Sequence, residues 1–215
     1  MIKVLLTGFD PFGGETVNPA WEAVSALKGL KTDTFEVEIY QLPTVFNQSL
    51  DNLYRAINDV QPHIAICLGQ AGGRSEFSVE RVAINLNDAR IPDNEGNQPI
   101  DTYVFEGGPV GYWTSLPIKA IVHELKRQHV PASISYTAGT FVCNHLFYGL
   151  MHHITENKLA IRAGFIHIPF LPEQAAKYAG QPSMALDTIV KGLMITIETT
   201  IANEQDIIAA GGQIC

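Results

Sequence analysis

The chain has 215 residues, of which 46% are hydrophobic and 17% charged, enough to bury one large core and too apolar to be disordered. A formal net charge of −8 argues against nucleic acid or an anionic membrane as partner, and no apolar run approaches the roughly 20 residues that span a bilayer. The opening MIKVLLTGFDPF has one basic residue and no small-residue cleavage site. It therefore reads as a first strand and not as a signal peptide, and the sequon Asn47-Gln48-Ser49 is taken as chance.

The apolar run Ile2 to Thr7 suits a strand covered on both faces. Asn18-Pro19 marks an N-cap followed by proline at the first helical position, opening a helix to about Leu27 that stops at Gly29. Phe35 to Leu42 is a strand. Phe46, Leu50, Leu53, Ile57 and Val60 form one helical face that Pro62 ends, and His63 to Leu68 is the next strand. From Gly69 to Gly111 the chain is rich in Gly, Asn, Asp and Pro, with an alternating piece at Phe77 to Leu86. A β-hairpin with long, function-bearing loops is expected here.

Ser115 is read as the cap of a helix carrying Ile118, Ile121, Val122 and Leu125. A short buried strand with Ile134 and Tyr136, broken by Ala138-Gly139, precedes a helix over Asn144 to Thr155. Ala163 to Ile168 is a further strand, and Ser183 is read as the cap of a final helix reaching Ile201. No repeat or linker interrupts this alternation. It predicts one domain over 1–215 in the α/β class, a largely parallel sheet with helices on both faces and sites at the carboxyl ends of strands.

Three cysteines, Cys67, Cys143 and Cys215, form no CxxC and no metal-type spacing, which fits a reducing cytoplasm. Cys67 lies in a buried-strand pattern, and Cys215, the last residue, is expected to be dispensable. Cys143 stands where ASISYTAGTFVCN passes from strand to helix. A thiol there meets the positive end of the helix dipole, which favours the nucleophilic thiolate.

Among seven histidines, His167 closes the strand Ala163 to Ile168 before the stiff loop Pro169-Phe170-Leu171-Pro172. His123-Glu124 is not an HExxH zinc motif, since Arg127 stands four residues on, and the adjacent His152 and His153 point in different directions. No metal or cofactor is therefore expected. Glu80 shares an alternating face with Val82 and Ile84; an inward carboxylate there requires a partner, which an imidazolium would supply.

The segments Gly69 to Asn85 and Ala132 to Asn144 resemble the two motifs of pyroglutamyl peptidase type I. Thr7 to Gly13, Asn18-Pro19 and Phe165 to Pro169 match the same family. The likeness covers essentially the whole chain. It implies a three-layer α/β/α sandwich around a mixed sheet and a metal-free cysteine exopeptidase, usually a cytoplasmic homotetramer, that removes N-terminal pyroglutamate from peptides through a thioester. It assigns Cys143 as nucleophile, His167 as general base and acid, and Glu80 as the group that orients the imidazole.

Pyroglutamate is a small, flat, uncharged lactam, so its pocket needs aromatic faces and few charges. Phe9, Phe12, Phe141 and Val142 align with the family's pocket residues. Gln70 and Asn18 are candidate polar contacts, and Arg90 is a candidate helper. The competing reading is a nucleoside phosphorylase-like enzyme using Gly69 to Gly73 for phosphate, but that turn is neither GxGxxG nor a P-loop.

Overall fold

The computed structural model describes residues 1–212, so Cys215 lies outside the described residues. The elements in order are β1 (Ile2–Phe9), α1 (Pro19–Ser25), β2 (Phe35–Leu42), α2 (Gln48–Val60), β3 (Ile64–Gln70), β4 (Phe77–Glu80), β5 (Val82–Ile84), β6 (Gly111–Trp113), α3 (Ile118–Arg127), β7 (Ala132–Ser135), α4 (Val142–Glu156), β8 (Arg162–Ile168), α5 (Pro172–Ala175) and α6 (Leu186–Ala202). Six strands form the main sheet in the order β2-β1-β3-β8-β4-β7. β2, β1, β3 and β8 run parallel, and β4 is antiparallel to β8 and parallel to β7.

Strand periodicity sorts the core onto two faces. Val4, Leu6, Ile64, Ile66, Ile166 and Ile168 face the cluster that includes residues of α1, α3 and α6. Leu5, Phe9, Ala65, Cys67, Ala163 and Phe165 face the cluster that includes residues of α2 and α4. The result is an α/β/α sandwich around a mostly parallel mixed sheet. Cys67 is fully buried in the second layer, as its strand pattern implied.

Asn18 caps α1 as expected, its Oδ1 accepting from Ala20 N at 3.0 Å with Pro19 at the first position. Three local readings change. Phe77 to Leu86 is not one hairpin: β4 joins the main sheet, while β5 pairs antiparallel with β6 some 30 residues on. Ser115 does not cap α3. Its hydroxyl accepts from Ala163 N at 2.8 Å, and the helix starts at Ile118 after Pro117. Ser183 bridges Phe170, so α6 begins at Leu186 behind Ala185. In both cases a nearby strand or loop takes the serine that composition offered to the helix. β7 stops at Ser135, leaving Tyr136 exposed beyond an edge strand.

Candidate active site

β8 and β4 run antiparallel, with Ser78 opposite His167. Alternation puts Ser78, Glu80, Phe165 and His167 on the face toward α4, while Phe77, Val79, Ile166 and Ile168 point the other way. Glu80 is wholly buried and His167 nearly so. The His167 Nδ1 lies 2.7 Å from Glu80 Oε1. A carboxylate only accepts, so Nδ1 carries the proton and Nε2 is the basic nitrogen. The imidazole also rests on the Phe165 ring, 4.9 Å between centroids.

Gly69 is the register partner of His167 on the neighbouring strand. A Cβ at Gly69 would lie 2.9 Å from Cys143 Sγ and 2.8 Å from Phe165 Cζ. The absence of a side chain at Gly69 thus lets the thiol sit directly on the sheet beside the His167 strand. Cys143 itself occupies the first turn of α4. Phe141 offers no side-chain cap, and the turn holds no acidic residue, so its backbone N–H groups stay available to an anion.

The turn is firmly held. Asn144 Oδ1 accepts from Ile84 N at 3.0 Å, and its Nδ2 donates to the Ile84 and Leu86 carbonyls at 2.9 and 3.0 Å. His145 receives Asn47 N on Nε2 at 3.1 Å and contacts Asn87 Oδ1 through Nδ1 at 3.0 Å.

Cys143 is half-buried. Burial pushes its thiol up to about 12, Glu80 adds to the rise and the Arg74 guanidinium opposes it. The bias toward thiolate expected at a helix start is thus opposed by burial and by the nearby Glu80 carboxylate and aided by Arg74.

Of the remaining sequence-selected residues, Phe12, Gln70 and Arg90 line one cavity of about 430 Å³ together with Gly72, Phe170, Tyr178 and Gln181. Phe12 contacts Phe141 at 6.3 Å. Phe9 and Val142 are buried in the α4-side core, and Phe9 packs on Phe165. Asn18 is also buried, its amide committed to the α1 cap and to the Asp10 carbonyl at 2.9 Å.

Two residues escaped the sequence reading. Phe46 stands edge-on to Phe141 at 5.4 Å, with its backbone N–H held by Asp93 at 2.9 Å. Arg74 donates to Glu80 Oε1 at 2.8 Å. A cation six residues before an inward carboxylate was the available signal for Arg74; Phe46 left none, because its stripe reads equally as core. The glycine-rich turn has packing reasons of its own. Gly69 admits the thiol, a Cβ on Gly72 would strike Phe170, and Gly73 has φ +87°. The phosphate-binding alternative thus loses its only support.

The chain resembles known proteins over nearly all of its length. A family model described as pyroglutamyl peptidase matches residues 2–203. A pyrrolidone-carboxylate peptidase of Brevibacillus brevis is 65% identical over 214 residues, covering the whole of both chains. The crystal structure of pyroglutamyl peptidase I from Bacillus amyloliquefaciens superposes with a TM-score of 0.95 at 57% identity, covering 98% of this chain and 100% of that one. A mutant pyrrolidone carboxyl peptidase from the hyperthermophile Pyrococcus furiosus superposes at 0.91 with 38% identity, covering 94% and 100%.

Proposed function

The chain belongs to the pyroglutamyl peptidase family, and we propose that it performs the family's reaction with Cys143 as nucleophile, His167 as base and acid, and Glu80 as the orienting carboxylate. It is a cysteine-type hydrolase that releases N-terminal pyroglutamate from peptides. The observation that carries the residue roles is the buried Glu80–His167 contact of 2.7 Å beside the strand on which the Cys143 thiol rests.

In the reaction, His167 Nε2 takes the thiol proton as Sγ attacks the carbonyl carbon of the pyroglutamyl residue. Glu80 stabilises the imidazolium that forms and keeps its tautomer. The oxyanion takes hydrogen bonds from the open N–H groups at the start of α4. Collapse breaks the C–N bond, and His167 gives its proton to the leaving amine. Water then attacks the thioester with His167 again as base. The thiol is restored and free pyroglutamate departs.

Phe12 and Phe141 supply aromatic walls for the lactam, Gln70 and Arg90 polar contacts at its rim, and Phe9, Val142 and Asn18 the buried frame behind them. The whole chain acts as one peptidase domain. Among the described residues Cys67 and Cys143 are free thiols, which suits a reducing cytoplasm. Among the described residues no helix is long and apolar enough to cross a membrane. A homotetramer is the expected assembly, and exposed Tyr103, Val110 and Trp113 offer apolar surface for it. The reaction is tested by chromophore release from a pyroglutamyl amide, with and without a thiol alkylating agent.

A further inference from the structure

Glu80 is a carboxylate with no exposure to solvent, and two groups converge on its Oε1: His167 Nδ1 at 2.7 Å and Arg74 Nη1 at 2.8 Å. Its Oε2 has no hydrogen-bond partner among the described residues. A buried carboxylate held by an imidazole alone is poorly compensated, since a neutral imidazole brings no charge. The full positive charge at this carboxylate comes from Arg74.

We propose that Arg74 is a positioning residue for the hydrolysis, holding the Glu80 carboxylate in place so that it can orient His167.

Three features support this assignment, which rests on the reading of His167 as base and Glu80 as its orienting group. First, the guanidinium does more than neutralise. Nη1 also reaches Ser135 Oγ at 3.3 Å, and Nη2 donates to the Thr137 carbonyl at 3.1 Å. One planar fork thereby joins the turn after β3, the end of β4 and the segment that leads from β7 into the Cys143 helix. Only arginine spans such partners with fixed geometry; lysine would bring the charge without the fork.

Second, Arg74 is not part of the substrate cavity lined by Phe12, Gln70 and Arg90. It lines a separate groove of about 370 Å³ with Gly73, Ser75, Glu76, Ser135 and Thr137. Its loss should therefore act on turnover and spare substrate binding. Third, the same positive charge favours the Cys143 thiolate against burial, the largest opposing cause, and against Glu80. The residue thus supports both ends of the proton transfer.

The groove makes a direct test possible, because the Arg74 side chain is about 30% exposed and a truncated variant would leave its head-group position reachable from solvent. Steady-state kinetics on a pyroglutamyl amide are measured for wild type, Cys143→Ser, Arg74→Ala and Arg74→Lys, with thermal melts for each. The alanine variant is repeated with guanidinium chloride well below denaturing concentration and with sodium chloride at equal ionic strength. We expect Arg74→Ala to lose kcat by roughly 10- to 100-fold, the range of one charge-assisted hydrogen bond, with KM little changed. Arg74→Lys should fall between, and guanidinium, but not sodium, should restore part of the lost kcat.

If Arg74→Ala is too unstable to assay, Arg74→Lys decides by the same kcat-against-KM split. Wild-type kcat in the variant, a loss confined to KM, or a stable variant that guanidinium fails to rescue would each overturn the proposal and leave Arg74 a structural tie. An inactive wild type, indistinguishable from Cys143→Ser, would instead sink the underlying peptidase reading.

Discussion

Substituting Gly69→Ala probes the junction between the sheet and the Cys143 thiol. The new methyl group would sit 2.9 Å from Cys143 Sγ and 2.8 Å from Phe165 Cζ, well inside the 3.5–4.0 Å at which such atoms rest. Phe165 is fully buried, packed against Phe9 and Phe147 as well as His167, so it has little room to retreat. The half-buried thiol is the softer neighbour and should be displaced. Overpacking of this kind costs about 1–3 kcal/mol, which for a chain of this size lowers Tm by about 2–12 °C. With Cys143 as the proposed nucleophile, displacing its thiol by about 1 Å should reduce kcat/KM by roughly a hundredfold.

The control is Gly192→Ala, whose methyl would press on the Phe77 ring in the opposite layer. It should cost similar stability and leave kcat alone. Assays are kcat/KM on a pyroglutamyl amide, the rate of Cys143 alkylation and calorimetric Tm. If Gly69→Ala keeps wild-type turnover, or if the two variants lose activity equally, the placement of the thiol on Gly69 does not govern catalysis.

Glu80→Gln should lower kcat/KM less than His167→Ala, because in the proposed mechanism Glu80 assists the proton carrier and His167 is the carrier; kinetics on both variants decide, and an equal or greater loss from Glu80→Gln would contradict it. Burial lowers the His145 pKa from 6.5 to about 4, so the folded state binds fewer protons than the unfolded one. Its contribution to stability is fully present above pH 6.5 and is lost as pH falls toward 4. The gap corresponds to about 3 kcal/mol, and His145→Gln should flatten the Tm-against-pH curve over that window, whereas an unchanged slope would refute it. Glutaminyl and prolyl amides should be worse substrates than the pyroglutamyl amide by at least about a thousandfold in kcat/KM, since each carries an ammonium that Phe12 and Phe141 cannot pair; similar rates on any two would refute the aromatic pocket.

Local chemistry made part of this molecule legible. Asn18-Pro19 announces α1 because the cap and the missing proline N–H both act within one turn. Phe35 to Leu42 reads as β2 to the residue, because alternation and flanking polar residues coincide. The four-residue strands β4 and β7 were harder. Nothing in Phe77 to Glu80 states that it enters the sheet antiparallel to β8, since pairing across more than 80 residues decides it. Yet that direction is what brings Glu80 to His167. Glu80 does point inward, but not by the alternation that grouped it with Val82 and Ile84: those two are half-buried on β5 in the second sheet, and Glu80 ends β4 in the main one. Its second partner Arg74 went unread, because an arginine beside glycines looks like a solvated turn. Phe46 and the stacked pair Phe170 and Tyr178 belong to loops whose meeting only the tertiary fold defines.

The measurement closest to the central claim is peptide mapping of the alkylated protein, followed over time alongside activity on a pyroglutamyl amide, with Cys143→Ser in parallel. The account predicts that modification of Cys143 tracks loss of activity one for one. Cys67, whose thiol burial likewise pushes up to about 12 and which has no exposure, should stay unmodified. Cys143→Ser should be folded and inactive, because its hydroxyl is a far weaker acid than the thiol. Activity that survives complete modification of Cys143, or a folded Cys143→Ser variant with substantial turnover, would contradict the assignment of this thiol as the nucleophile.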